Sequence, residues 1–394
     1  MGDFRYGVVG AGRQGVATAY DMAAQGGGAS VLVMDRDADV ARRAAERINR
    51  LLGRSVAQER PLDARDGDAL AAALAGLDVF LCGTPFEMIP QATEAALRAG
   101  VSMVDYGGHT PTVLAQLQRD AEAKAAGIAI VPDCGMGPGM NNTLGAYAVE
   151  LMEGEGLAPR EVYLWDGGLP QNPVPPWNYQ LTFNINGLTN EYYGEVAFLR
   201  GGQITMVGAF EELEHVAFDG VGELEAFTTT GGTSTAPYTF KGRLQVYQNK
   251  TCRWPGHYAT FKAYQQLGLF ELEPVTVQGQ PVVPREVFHT LLAPQISAPV
   301  VEDVCVMRAK GVGLDAGGTP RAVIIDLVDR YDPATGFTAM ERITGWHAGI
   351  MAEFIARGQV APGVWPMERA VPASTFVEAA RARGFAITVR WEDA

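Results

Sequence analysis

From residue 5 to about residue 133, short apolar runs alternate with longer amphipathic stretches. The runs fall at 6–9, 30–34, 78–82, 102–105 and 128–131, with a weaker one near Val56. Each is too short for a helix and almost continuously apolar, as strands buried on both faces are. Between them lie Ala-rich segments of good helix propensity at 14–25, 38–52, 68–74, 89–99 and 112–126. Strands alternating with helices of this length predict a parallel sheet covered by helices.

A further helix is expected over 143–152, and the texture then changes. Segments at 161–165, 179–185, 244–247 and 322–328 predict a mixed or antiparallel sheet. Residues 168–177 hold four prolines, so they read as an ordered loop. Helices over 343–357 and 374–383 and a strand over 386–391 follow. Their character is that of the first layer, so the first domain is expected to be discontinuous.

Charge and cysteine usage narrow the partners. With 31 Lys and Arg against 45 Asp and Glu, the net charge of -14 repels nucleic acid and anionic membrane surfaces, and a small soluble substrate is expected instead. Cys82, Cys134, Cys252 and Cys305 are too scattered for a zinc site or a disulfide framework, so no metal is expected. The opening MGDFRYGVVGAG shows no leader pattern and no stretch approaches a membrane span, which makes cytoplasmic the expected location.

Candidate chemistry begins at Gly10, Gly12 and Gly15, which form G-x-G-x-x-G directly after the first strand and at the mouth of the first helix. In that context Gly10 serves a tight turn, Gly12 close approach of backbone to a pyrophosphate, and Gly15 the packing of helix on strand. The phosphates would sit at the helix N-terminus, with Arg13 and Gln14 as adjacent side chains. Asp35 ends the second strand, where a carboxylate accepts hydrogen bonds from adenosine ribose hydroxyls and repels a 2′-phosphate. NAD is therefore expected over NADP, with Arg36 a partial counterweight. Asp63 and Asp66 are candidates to face the adenine. Cys82, Thr84 and Pro85 on one strand end, and Tyr106 on the next, are candidates to run beneath ribose and nicotinamide. The expected class is α/β: a Rossmann NAD-binding domain over 1–140, an α+β substrate domain over 141–340, and a C-terminal return over 341–394.

Pro132 through Asn142 resembles the segment that leaves the Rossmann domain in the saccharopine dehydrogenase-like family. The blocks 167–173, 187–193, 230–235 and 253–257 are similar to its lysine 6-dehydrogenase branch, and 344–353 to the family's closing helix. The saccharopine-forming and carboxynorspermidine-forming branches carry an acidic residue just before the Pro-Gly of the exit segment, where this chain has Gly137. The resemblance implies a homo-oligomeric enzyme that oxidatively deaminates a primary amine on an amino acid, the ε-amine of lysine first of all, with release of ammonia. The alternatives are an imine reductase of the saccharopine or opine type, and a non-catalytic NAD-binding sensor.

Removing a hydride from an amine-bearing carbon requires the neutral amine, so a base is expected. His257, after a Trp-Pro-Gly turn, is the first candidate and Asp133, at the end of the last Rossmann strand, the second. Arg253 is the candidate for a substrate carboxylate, with Lys250 behind it. Thr230, Thr233 and Ser234 offer hydroxyls in a glycine-rich turn, and Asn142 and Tyr238 are expected to line the cleft.

Overall fold

The computed structural model describes residues 3–393. Along the chain run β1 (Phe4–Val9), α1 (Arg13–Ala24), β2 (Gly28–Asp35), α2 (Ala38–Leu52), β3 (Ala57–Pro61), α3 (Gly67–Leu74), β4 (Val79–Cys82), α4 (Ile89–Ala99), β5 (Ser102–Asp105), α5 (Thr110–Leu117), α6 (Asp120–Ala126) and β6 (Ala129–Val131). Next come α7 (Met140–Gly154), β7 (Ala158–Pro170), α8 (Ile185–Glu191), β8 (Glu195–Arg200), β9 (Gln203–Gly208), β10 (Glu214–Phe218), β11 (Gly222–Thr228), α9 (Ala236–Phe240) and β12 (Val246–Arg253). The rest is α10 (His257–Gln266), β13 (Val275–Val277), β14 (Gln280–Val282), α11 (Pro284–Ile296), β15 (Asp303–Leu314), β16 (Pro320–Arg330), α12 (Ala339–Ala356), β17 (Gly363–Val364), α13 (Met367–Ala370), α14 (Ala373–Ala382) and β18 (Thr388–Asp393).

Two sheets organise these elements. The first is all parallel, in the order β17-β6-β5-β4-β1-β2-β3, so the connection reverses between β1 and β4 and leaves a crevice at the carboxyl ends of the strands. The second runs β10-β11-β12-β7-β15-β16-β18, with β8 and β9 branching from β12. It is antiparallel except at β12 and β7. Helices α7 and α12 are buried on nearly every side because they lie between the sheets: α7 packs on β7 and β15, and α12 on α1, β4, β5 and β15. Thr338 and Glu341 close a reciprocal capping box at the start of α12.

Four readings of the pattern are corrected. The stretch 112–126 is two helices, broken at 118–119; within the first, Gln116 turns inward and donates to the buried Asp105 carboxylate. Residues 179–185 form no strand; their apolar alternation is used to pack Tyr179, Leu181 and Phe183 against an aromatic cluster. The proline-rich loop starts later, since β7 continues to Pro170. Finally, the C-terminal strand pairs with β16 in the second sheet, and the return to the first sheet is made by α12 and the two-residue β17.

Candidate active site

At the nucleotide end, Gly10 has φ +98°, and a Cβ there would lie 2.7 Å from the Gly83 carbonyl oxygen. A Cβ on Gly15 would stand 2.0 Å from the Gly10 oxygen, while the space around Gly12 is open. Helix α1 begins at Gly12 with no side-chain cap and no acid in its first turn, so its leading amides are free to donate to an anion. Gln14 Oε1 is buried without a partner. Arg13 Nε donates to Glu341 Oε1 at 2.7 Å, tying the glycine turn to α12, while much of its side chain stays exposed. The Asp35 carboxylate accepts from the Ala11 amide at 2.9 Å and the Asp37 amide at 3.0 Å, which fixes it at the mouth of the turn. These residues fit a dinucleotide.

Several expected cofactor contacts sit differently. Asp63 is half-buried and held by Arg65 at 2.6–3.0 Å, a bond that lowers its pKa to about 2. Asp66 caps α3, its Oδ1 accepting from the Asp68 and Ala69 amides. The Cys82 thiol lies in the core beside Thr84 Oγ1, and burial raises it to about 11, so this residue offers the crevice only backbone. Pro85 is exposed at the strand end and Thr84 half-buried. Tyr106 packs its ring on Gly83 and shares a 2.6 Å hydrogen bond with Thr18 of α1, so its ring rather than its hydroxyl faces the crevice.

Where the first sheet meets the second, Asp133 follows β6 at φ +64°, a strained conformation for a non-glycine residue. Its Oδ2 accepts from Ser234 Oγ at 2.5 Å, and its Oδ1 has no partner. Bare Gly107 makes room for it, since a Cβ there would lie 1.8 Å from Oδ1. Burial, reinforced by Asp105 and Glu368, lifts its pKa to about 8 against the Ser234 bond. Asn141 Nδ2 donates to the Gly232 carbonyl at 3.0 Å, and Asn142 Nδ2 to the Gly232 and Thr233 carbonyls at 3.3 Å, while Tyr247 Oη donates to Asn142 Oδ1. Asn142 therefore anchors the glycine-rich turn instead of lining the cleft. Thr233 likewise turns inward to the Ala197 carbonyl, and Thr230 to the Asn190 carbonyl.

A second polar cluster is built on β7 and β12 of the second sheet. Asp166 of β7 places Oδ2 2.5 Å from where a Cβ on Gly137 would stand. Burial raises its pKa to about 6, opposed by the Asn249 amide and the Arg253 guanidinium. Arg253 is buried; it donates from Nε to Tyr192 Oη at 2.8 Å, from Nη1 to the Cys252 carbonyl at 3.0 Å and from Nη2 to Glu191 Oε2 at 3.0 Å. Burial also lifts Glu191, to about 7, against the pull of Arg253. Asp166, Asn249 and Glu191 were missed in the sequence. The Gly167-Gly168 pair after Asp166 was the available signal, since a Cβ on either would strike Cys252 or Met340.

Three other candidates are corrected. His257 is fully buried among aromatics, its ring 3.9 Å from that of Phe261; Nε2 shares a 3.0 Å bond with Tyr192 Oη and Nδ1 faces the Trp177 carbonyl. Burial and the neighbouring Arg253 charge keep it neutral well below its ordinary range, so it positions Tyr192 and, through it, Arg253. Lys250 points to the opposite face of the second sheet, where it donates to the Glu212 carbonyl at 2.8 Å and pairs with Glu214 at 3.1 Å. Tyr238 is exposed on α9.

No cluster of three or more His, Cys, Asp or Glu side chains able to hold a metal ion occurs among the described residues. Among them, no helix is long and apolar enough to cross a membrane.

Comparison with known proteins agrees with this architecture. The saccharopine dehydrogenase NADP binding domain model matches residues 7–131, and the saccharopine dehydrogenase C-terminal domain model matches 135–384. An NADP+-dependent, L-glutamate-forming saccharopine dehydrogenase of Pyricularia oryzae is 25% identical over 152 residues, 38% of this chain and 33% of that protein. The mitochondrial alpha-aminoadipic semialdehyde synthase of Rattus norvegicus is 22% identical over 213 residues, 52% of this chain and 23% of that protein. The chain thus spans a third or less of these curated relatives. Among solved structures, the apo L-Glu-forming saccharopine dehydrogenase of Saccharomyces cerevisiae superposes with a TM-score of 0.80 at 17% identity, covering 99% of this chain and 100% of that one. The homospermidine synthase of Legionella pneumophila in complex with NAD gives 0.67 at 11% identity, covering 100% and 92%. With its two family models running together from residue 7 to residue 384, the chain belongs to the saccharopine dehydrogenase family.

Proposed function

We propose that the chain oxidises a primary amine on an amino acid, the ε-amine of lysine first of all, to an imine that water hydrolyses to the semialdehyde and ammonia, with NAD as coenzyme. The observation that carries this is Asp133, a buried carboxyl with one free oxygen at the carboxyl end of β6, beside the crevice where the coenzyme's reactive ring belongs. When bound, the dinucleotide supplies the hydride acceptor. The protein's part is to handle a proton. An alkylammonium loses its proton at about pH 10.4 in water, and a base titrating near 8 is well matched to take it at mildly alkaline pH. Ser234 donates to the Asp133 carboxylate and steadies its charged form.

Arg253 is proposed to hold the substrate carboxylate. Its three internal bonds use three of the five guanidinium N–H groups, which leaves two for a ligand. NAD is proposed over NADP because Asp35 stands fixed at the turn, although Arg36 and the NADP-named family model argue for testing both.

The test is NADH appearance with a panel of amino acids and diamines, with NAD and with NADP, while assaying ammonia. Lysine with NAD is expected to give NADH and ammonia in equal amounts, and Asp35→Ser to erode the NAD preference. Consumption of NADH only when an amino acid and a keto acid are supplied together, without ammonia, would establish the imine-reductase alternative.

A further inference from the structure

The polar cluster around Arg253 asks for a ligand that the amine-oxidation step leaves unspecified. Two buried oxygens in it have no partner, Asp166 Oδ1 and Asn249 Oδ1, while the buried Tyr179 and Thr182 hydroxyls face each other. Arg253 joins them, its guanidinium 5.3 Å above the Tyr179 ring, while Thr182 and Asp166 lie at the β7 glycines and at Gly137. A buried polar group left unpaired is costly, so a concentration of such atoms marks a place that something polar fills.

The charges say what fills it. One guanidinium faces two carboxyl groups, Asp166 and Glu191, of which only Glu191 is bonded to it. Asp166 is left with a free oxygen and no cation in contact, a vacancy for a donor bearing positive charge. Arg253 has two unused N–H groups, a vacancy for an anion. A carboxylate and an ammonium carried on one and the same carbon answer both demands at once. Asp133 lies elsewhere: the charges acting on it are Asp105 and Glu368, while Asp166 answers to Arg253.

We propose that Asp166, with Arg253, is the recognition site for the dipolar head of an α-amino acid, Asp166 taking the α-ammonium, so that the reacting amine at the far end of the side chain is delivered to Asp133. Gly137 is part of the same device, because any side chain there would displace the Asp166 carboxylate. This rests on the amine-oxidation reading and adds a substrate class to it: α-amino acids with a terminal amine, as opposed to simple diamines or ω-amino acids.

The experiment is calorimetric binding to the NADH-loaded protein of three probes: lysine, 6-aminohexanoate, which lacks the α-amine, and 1,5-diaminopentane, which lacks the carboxylate. Lysine is expected to bind at least tenfold more tightly than either. Asp166→Asn, which keeps shape and removes charge, is expected to weaken lysine by about 10- to 100-fold, the loss of one charge-assisted hydrogen bond, and to leave 6-aminohexanoate within a factor of two. NADH fluorescence on the variant reports whether the fold survives; Asp166→Glu, which restores the charge, is the second variant and is expected to recover part of the lysine affinity. Equal binding of lysine and 6-aminohexanoate by the unmodified protein, or a lysine-to-6-aminohexanoate ratio unchanged in Asp166→Asn, overturns the proposal while leaving amine oxidation standing. Failure of every amine to reduce NAD or NADP would sink the oxidation reading, yet the binding ratios would still decide the role of Asp166.

Discussion

Asp133 combines three features that seldom coincide: a left-handed backbone, a carboxyl oxygen without a partner, and a pKa near about 8. Its position at the end of the last expected strand made it visible in the sequence. Its environment was not, because Ser234, Gly107 and Glu368 come from three distant segments. The same cause explains why His257 misled: a histidine after a turn looks available until Phe261, Tyr192 and Trp177 close around it. If Asp133 is the base, Asp133→Asn should slow NADH formation by about 10²–10⁴ with dinucleotide affinity unchanged. The same substitution has a signature in stability. Below about pH 4 the folded and unfolded chains both hold this proton, and between there and pH 8 only the folded chain does. The contribution of Asp133 therefore falls as pH rises through that window, by on the order of 2 kcal/mol between pH 6.5 and 8. Thermal melts should show the unmodified protein losing stability over that interval and Asp133→Asn losing clearly less; parallel curves would mean an ordinary carboxyl at 133.

The elements were most legible where one periodicity governs. The parallel sheet announced itself through short apolar runs, and α12 through a long helical stretch at 343–357 that the structure extends back to Ala339. The second sheet was legible only in fragments, because β12 and β15 carry polar residues on faces that other elements cover, and no simple alternation survives. Helix α12 also carries a packing code that hydrophobicity does not reveal. A Cβ on Gly345 would lie 2.6 Å from the Ala17 Cβ and 2.9 Å from the Ala17 backbone, and one on Gly349 would lie 2.2 Å from Asp21 Oδ2. These glycines let α12 press against α1, the helix that opens the dinucleotide turn. Gly345→Val should force the two helices apart, lowering stability by about 1–3 kcal/mol and weakening dinucleotide affinity along with it. Wild-type affinity in a destabilised variant would show that the α1–α12 contact does not set the geometry of the turn.

At the scale of the molecule, the first helix is held by the last. Arg383, just past α14, donates from Nε to both oxygens of Asp21 in α1 at 2.8 and 3.1 Å and from Nη2 to Glu353 of α12 at 2.7 Å. Asp21 is fully buried, so its carboxylate depends on that guanidinium. No local reading of the sequence reveals the pair, since its members stand 362 residues apart. Burial already lifts Asp21 to about 6 while Arg383 pulls it down, so in Arg383→Ala the carboxyl should rise further. Breaking one side of a buried pair costs about 3–5 kcal/mol when the stranded charge must stay ionised. A raised pKa means the folded variant can escape part of that cost by keeping the proton, and it does so more fully as pH falls toward the unfolded value near 4. Arg383→Ala should therefore be markedly less stable than the unmodified protein at pH 8 and recover much of the deficit at pH 5. Adding Asp21→Asn should remove the pH dependence of that deficit, because no carboxyl is left to strand. Thermal melts of the single and double variants at the two pH values decide the matter: a deficit that is the same at pH 5 and pH 8 would show that Arg383 serves by packing, and that the two ends of the chain are not joined through charge.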